Sequence, residues 1–148
     1  MPFCHVTLRS RKPLPRGYPV SPGSAGEHIR KARLDRELRQ QDVAGLVDVD
    51  TSTITNWELG RTEPALEHWP AIIRFLGFVP LPCPNTFPER IRAYRLITGH
   101  SMKSLGGKIG VDPATVAGWE SGQRNPFEGL QARAEREIGP TLASCSWE

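Results

Sequence analysis

Apolar side chains recur along this chain at helical spacing and in short bursts. Ile29, Ala32 and Leu34, with Arg33 among them, mark a helix beginning near Glu27. Val43, Leu46 and Val47 stand at i, i+3 and i+4 and predict a second, short helix. Asp50 opens a third: its carboxylate suits an N-cap that accepts from the free amides of the first turn, and Ile54 and Trp57 follow three apart on the inner face. Gly60 stands where a left-handed residue closes a helix. Trp69, Ile72, Ile73, Phe75 and Leu76, with Pro70 near the start, predict a fourth helix packed on the same core. The span from Val43 through the bend at Asp48-Val49-Asp50 to Trp57 is two short helices joined by a tight turn, a helix-turn-helix.

The same pattern is written twice. A shift of 62 residues aligns EHIRKARLDRELRQQDVAGLVDVDTSTITNWELGRTEP (27–64) with ERIRAYRLITGHSMKSLGGKIGVDPATVAGWESGQRNP (89–126) without a gap, and 13 of 38 positions are identical. The identities include Ile29/Ile91, Arg33/Arg95, Val49/Val111, Asp50/Asp112, Trp57/Trp119, Glu58/Glu120, Gly60/Gly122 and Pro64/Pro126. Helical composition alone does not hold Trp-Glu-x-Gly-x-x-x-Pro, with an Asp seven residues before the Trp, in register twice. The second copy strengthens its third-helix start with Asp112-Pro113, a cap followed by proline at the first helical position.

On these residues the chain resembles the phage-repressor (Cro/repressor, or Xre-type) helix-turn-helix regulators. The family's run is met by Ile29, Arg33, Gln40, Val43, Ala44, Val49, Asp50, Thr53, Ile54, Thr55, Glu58, Gly60 and Pro64, and continues through LEHWPAIIRFLGF. The resemblance covers 27–78 and, less completely, 89–139. It implies an all-α fold of two tandem lambda-repressor-like helix-turn-helix domains at those limits, joined by a Pro-rich connector at 79–88 and followed by a tail at 140–148. Residues 1–26 precede them as a disordered, basic, Pro-rich arm.

In such proteins the third helix lies in the major groove of double-stranded DNA and the second crosses the backbone. Carried over, the recognition helix is 51–59, with Thr51, Ser52 and Asn56 at the base edges and Thr53 and Thr55 in reach of base or phosphate. Asn pairs bidentately with adenine, while Ser and Thr hydroxyls donate or accept. The alternative is a polar, solvated helix face. Gln40 would cap the second helix and offer its amide to a phosphate, and Arg61 would add a backbone contact. The second copy has Pro113, Ala114 and Gly118 at the reading positions and Met102 for Gln40, so direct readout there is poor. It carries Arg90, Arg92, Arg95, Lys103, Lys108 and Arg124, however, and phosphate attraction fits it. Lys103, Thr115 and Arg124 are its candidate contacts, with Ala114 placed to touch a thymine methyl. The first copy is expected to specify and the second to support, through backbone contact or self-association. Arg33 and Glu58 recur 25 residues apart as Arg95 and Glu120, and the family resemblance implies structural ion pairs.

Composition adjusts this picture. The 148 residues carry a net charge of +3, spread as +4 over 1–26, −2 over 27–64, +3 over 89–126 and −2 over 127–148. The arm's Arg9, Arg11, Lys12 and Arg16 suit an adjacent minor groove, or equally a solubilising tail. Cys4, Cys83 and Cys145 are too few and too scattered for a disulfide framework or zinc ribbon, and His5, His68 and His100 lack ligand spacing, so no metal or cofactor is expected. No ~20-residue apolar span or signal-peptide core is present, which points to a soluble intracellular protein, and the family resemblance implies a prokaryotic cytoplasm and association with the nucleoid through DNA. Neither a phosphate-cradling glycine loop nor a nucleophile-base arrangement points to an enzyme. The competing reading is a protein-interaction module such as an antitoxin-like regulator. Whether the two copies span both half-sites alone or act as a homodimer stays open at this level.

Overall fold

The computed structural model describes residues 13–147. Four helices, α1 (Ala25–Asp35), α2 (Gln40–Val47), α3 (Thr51–Glu58) and α4 (Trp69–Leu76), form the first unit, with a 3-10 turn at Leu66–His68. Another four, α5 (Phe87–Thr98), α6 (Met102–Ile109), α7 (Pro113–Glu120) and α8 (Glu128–Ala143), form the second. Each unit closes its own core. Ile29, Val43, Val47, Ile54, Trp57, Ile72 and Leu76 fill the first, and Ile91, Tyr94, Leu105, Ile109, Val116, Trp119 and Ile138 the second.

The repeat reaches further toward the N-terminus than residue 27. Ser24 and Thr86, also 62 apart, cap α1 and α5 by accepting from the amides of Glu27 and Glu89. The two glutamates return the bond through the amides of Gly23, at 2.7 Å, and of Asn85 and Thr86, at 2.9 and 3.0 Å. Helix α1 therefore starts at Ala25, not near Glu27. Gly26 lies on its inner side, pressed so close to α3 that a Cβ there would stand 1.8 Å from the carbonyl oxygen of Trp57.

Three other expectations need correction. Leu46 does not join the α2 stripe: it is 61% exposed, and Ala44 takes the inward place beside Val43 and Val47. The core-facing positions on this two-turn helix are i, i+1 and i+4. Asp50 and Asp112 occupy N-cap positions with extended backbone, but neither side chain accepts a capping bond. The stretch just before α1 is also not free of the fold. The Tyr18 hydroxyl donates to Asp35 at 2.6 Å, Lys31 sits 5.9 Å from the Tyr18 ring centroid, and Arg30 donates to the Arg16 carbonyl at 3.4 Å. Arg16 is exposed in this turn, and Arg9, Arg11 and Lys12 lie outside the described residues.

The 62-residue register persists into the fourth helices, where Ile72/Ala134, Leu76/Ile138 and Gly77/Gly139 correspond and both members of the first two pairs are buried. Their fates then diverge. Gly77 takes φ +87° and ends α4. Gly139 stays helical, and α8 runs on through Pro140 to Ala143, burying Leu142. The chain beyond α8 returns to the connector, where the Val79 amide donates to the Ser146 carbonyl at 2.8 Å in an isolated parallel bridge of Val79 with Trp147. Val79, Pro80 and Pro84 are buried, and Pro70 of α4 packs against Gly99 at the end of α5. The connector thus belongs to the packed body.

Helix α8 is clamped by charge. Glu135 accepts from Arg90 at 2.6 Å, and Glu137 accepts from Lys108 at 2.9 Å and the Tyr94 hydroxyl at 3.0 Å. Lys108, then Tyr94, hold the Glu137 carboxyl below its ordinary value of 4.5. A carboxylate with a depressed folded-state pKa stabilises the fold above the ordinary value and loses that contribution as pH falls through the lower one.

Two predictions follow from this packing. Gly26→Ala should destabilise the first unit by about 3 kcal/mol, because only backbone can yield. Gly45→Ala, an exposed helical site with open space around it, should instead stabilise by about 0.5–1 kcal/mol. Denaturant melts of both variants check the pair, and a Gly26→Ala protein melting like wild type would contradict the close approach. Glu137→Gln should lower Tm at neutral pH, and its deficit against wild type should shrink on acidification below pH 4.5. A deficit independent of pH would show that the carboxylate charge plays no part.

Candidate nucleic-acid interface

The turn between α2 and α3 is tight in both copies, for a backbone reason. Asp48 adopts the left-handed conformation at φ 62°, and the amide of Val49 then closes on the Ala44 carbonyl at 3.0 Å. The second copy places Gly110, at φ 84°, where the first has Asp48, and Val111 closes on Gly106 at 2.9 Å. Val49 and Val111 pack onto the two cores and fix the start of α3 and α7. Each third helix is therefore held at its N-terminal end and presents its opposite side to solvent.

In the first copy Thr51 and Ser52 are exposed at that end, with Thr53 and Asn56 half-exposed along the helix. Arg61 is exposed in the loop that follows. Thr55 and Gln40, grouped with them on sequence grounds, are half-exposed too, with polar groups engaged inside the fold. Glu58 is the centre of their network, with its side chain 2% exposed. Arg33 grips it bidentately, Nε to Oε1 at 2.6 Å and Nη2 to Oε2 at 2.9 Å, and also donates to the Leu38 carbonyl at 3.1 Å. Gln40 Nε2 donates to Glu58 Oε2 at 2.9 Å, while Gln40 Oε1 lies 3.0 Å from the Thr55 hydroxyl. That hydroxyl lies equally near the Thr51 carbonyl, and its single proton serves one acceptor at a time. Gln40 consequently does not cap α2. The start of that helix is held by Asp42, which accepts from the Arg39 amide at 2.8 Å and from its guanidinium. Thr55 lies one helical turn after Thr51 on the same side of α3, where its hydroxyl reaches Gln40 of α2.

The second copy keeps the ion pair and the arginine's carbonyl bond but not the amide arm. Arg95 donates to Glu120 and to the His100 carbonyl, but Met102 and Ala117 replace Gln40 and Thr55, and the Glu120 side chain is 19% exposed. Its basic surplus is also largely internal. Arg90, Lys108 and Arg95 are taken by Glu135, Glu137 and Glu120, leaving Arg92, Lys103 and Arg124 exposed and without carboxylate partners among the described residues. Ala114 is exposed and Thr115 half-exposed at the start of α7. Residues 40, 55, 90 and 108 show what composition and spacing missed: Gln40 answers a carboxylate 18 residues on, Thr55 answers the Gln40 amide oxygen, and the last two answer the acidic face of α8. The exposed Arg39 of the first copy was overlooked, although its place one residue before Gln40 put it at the start of α2.

Two packed copies of a four-helix unit with a tight α2–turn–α3 corner define a tandem helix-turn-helix protein. A helix-turn-helix family model matches residues 29–82 and again 91–126, and the chain belongs to this Xre/Cro-type family of DNA-binding transcription regulators. No curated protein and no solved structure matches it. Among the described residues no helix is long and apolar enough to cross a membrane, and no group of His, Cys, Asp and Glu is placed to hold a metal ion. Cys83 and Cys145 are free thiols, while Cys4 and His5 lie outside the described residues.

Removing Glu58 would strand Arg33 and Gln40 inside the fold. Glu58→Ala should cost about 3–5 kcal/mol and unfold the first unit. Glu120→Ala should cost less, since its partner set is smaller and more solvated. Equal losses in thermal melts would show that the Gln40 arm of the network is idle.

Proposed function

We propose that the chain is a sequence-specific, double-stranded-DNA-binding repressor whose first copy reads bases with α3 in the major groove. The observation that carries this is the surface of α3. Thr51, Ser52 and Asn56 stand open on one helix whose other side is locked by Ile54, Trp57 and the buried Glu58. Three polar groups on a rigid element suit base edges, where a bidentate Asn–adenine pair discriminates by about 1–3 kcal/mol. Thr53 and Arg61 flank them as sugar-phosphate contacts. Gln40 serves the same interface indirectly, fixing α2 against α3, and its remaining N–H is left for a phosphate.

Lys103 and Arg92 anchor the second copy through phosphates, with Ala114 and Thr115 near the groove floor. The arm adds Arg9, Arg11, Lys12 and Arg16 as minor-groove or phosphate contacts. This places the protein in the cytoplasm of a prokaryote, acting on chromosomal or mobile-element DNA as a monomer with two heads or as a homodimer. A protein-docking role fits less well, because the exposed side of α3 is polar.

Selection of bound duplexes from a random pool with the full chain tests the reading. Wild type should return a defined motif. Asn56→Ala should relax one position of it by about 1–3 kcal/mol with Tm unchanged. Lys103→Ala should weaken all duplexes alike and flatten the salt dependence by about 0.9 in log–log slope. An unselective pool with wild type would overturn the proposal.

A further inference from the structure

The second copy has Pro113, Ala114 and Gly118 where the third helix of the first presents Thr51, Ser52 and Asn56, yet it does not leave that face bare. Gly118 corresponds to Asn56, and the stem of Arg124 lies across it. The Cδ, Cγ and Cβ of Arg124 stand 3.0, 3.2 and 3.4 Å from where a side-chain carbon on Gly118 would be, and Gly118 is buried by that cover. The placement is fixed at the backbone as well, since the Arg124 amide donates to the Gly118 carbonyl at 3.0 Å.

The first copy treats the same carbonyl differently. There the amide of Arg61 closes on Asn56 at 2.9 Å, although Arg61 aligns with Gln123 and not with Arg124. The loop after α7 is thus one residue out of step with the loop after α3. The slip brings an arginine over the helix where the missing side chain leaves room. Arg124 lines one groove with Asp112 and Thr115, at the N-terminal end of α7, and it pairs with no carboxylate among the described residues.

We infer that the second copy reads DNA with Arg124, laid across α7 at Gly118, and that its target is a guanine in the major groove. A guanidinium presents two parallel donors that match guanine O6 and N7, whereas a lysine at the same place is a point charge without that fork. The second copy then specifies one base pair from its loop and is more than an electrostatic anchor. This deepens the DNA-binding reading above and rests on it.

The test is selection of bound duplexes with the full-length chain, run on wild type, Arg124→Lys, Arg124→Ala and Gly118→Ala, with melts to confirm that each variant folds. Wild type should return a guanine in the part of the motif that Asn56→Ala leaves unchanged. Arg124→Lys and Arg124→Ala should each lose about 5- to 150-fold preference for that guanine while keeping the α3-read positions. Arg124→Lys should also keep the wild-type salt slope. Gly118→Ala, which sets a methyl 3.0 Å from Cδ and lifts the stem, should blur the guanine without changing charge. Retention of the guanine in Arg124→Lys, or a wild-type motif with no guanine outside the α3-read positions, would overturn this inference and leave the α3 reading standing. No motif from wild type would remove both.

Discussion

The carboxylate of Glu58 is the constraint around which the first copy is arranged. A desolvated carboxylate must be answered by donors, and Arg33 from α1 and Gln40 from α2 converge on it at the end of α3. Three helices are therefore located by one buried charge, and the Thr55 hydroxyl meets the other end of the Gln40 amide. The directional bonds matter here because the core of each unit is small. Apolar contacts alone leave two-turn helices such as α2 and α3 free to slide, whereas a bidentate pair fixes angle and register together.

The second copy solves the same problem by other means. Its Glu120 has no amide partner from α6, and the burden passes to α8, whose Glu135 and Glu137 hold Arg90 of α5 and Lys108 of α6. Gly139 does not adopt the left-handed conformation that ends α4 at Gly77, so α8 runs on from Gly139 to Ala143, covers the core with Leu142 and carries the chain back to Val79. Pro140 lacks an amide hydrogen and costs α8 one internal bond, yet burial of Ile138 and Leu142 on either side keeps the helix going. The returning tail, the buried connector and the Pro70–Gly99 contact then bind the two copies into one body.

Much of this was legible in the sequence, and the parts that were not share a cause. The duplicated Trp-Glu-x-Gly-x-x-x-Pro run, the helix order and the 25-residue spacing of Arg and Glu are local or repeated features, visible without knowing what packs where. The engagement of Gln40 and Thr55 inside the fold, the exposure of Leu46 and the close approach of Gly26 to Trp57 depend on which helix lies opposite. Charge counting by segment failed for the same reason. The +3 of residues 89–126 and the −2 of residues 127–148 look like separate stretches, but α8 folds its acids onto α5 and α6 and pairs with Arg90 and Lys108 of the basic set.

What remains after that neutralisation makes the difference between Asn56 and Gly118 intelligible. A helix that carries its own reading groups can present only what its regular spacing allows. A glycine there weakens the helix by up to about 1 kcal/mol relative to alanine and leaves a gap one side chain deep. In α7 that gap holds the aliphatic stem of Arg124, which shields the helix backbone while its guanidinium stays hydrated. The loss in helix propensity is offset by the packed stem, and the loop gains a fixed anchor through the Gly118 carbonyl. Gly118 and Arg124 are thus one structural unit, and a change at either position acts through the other.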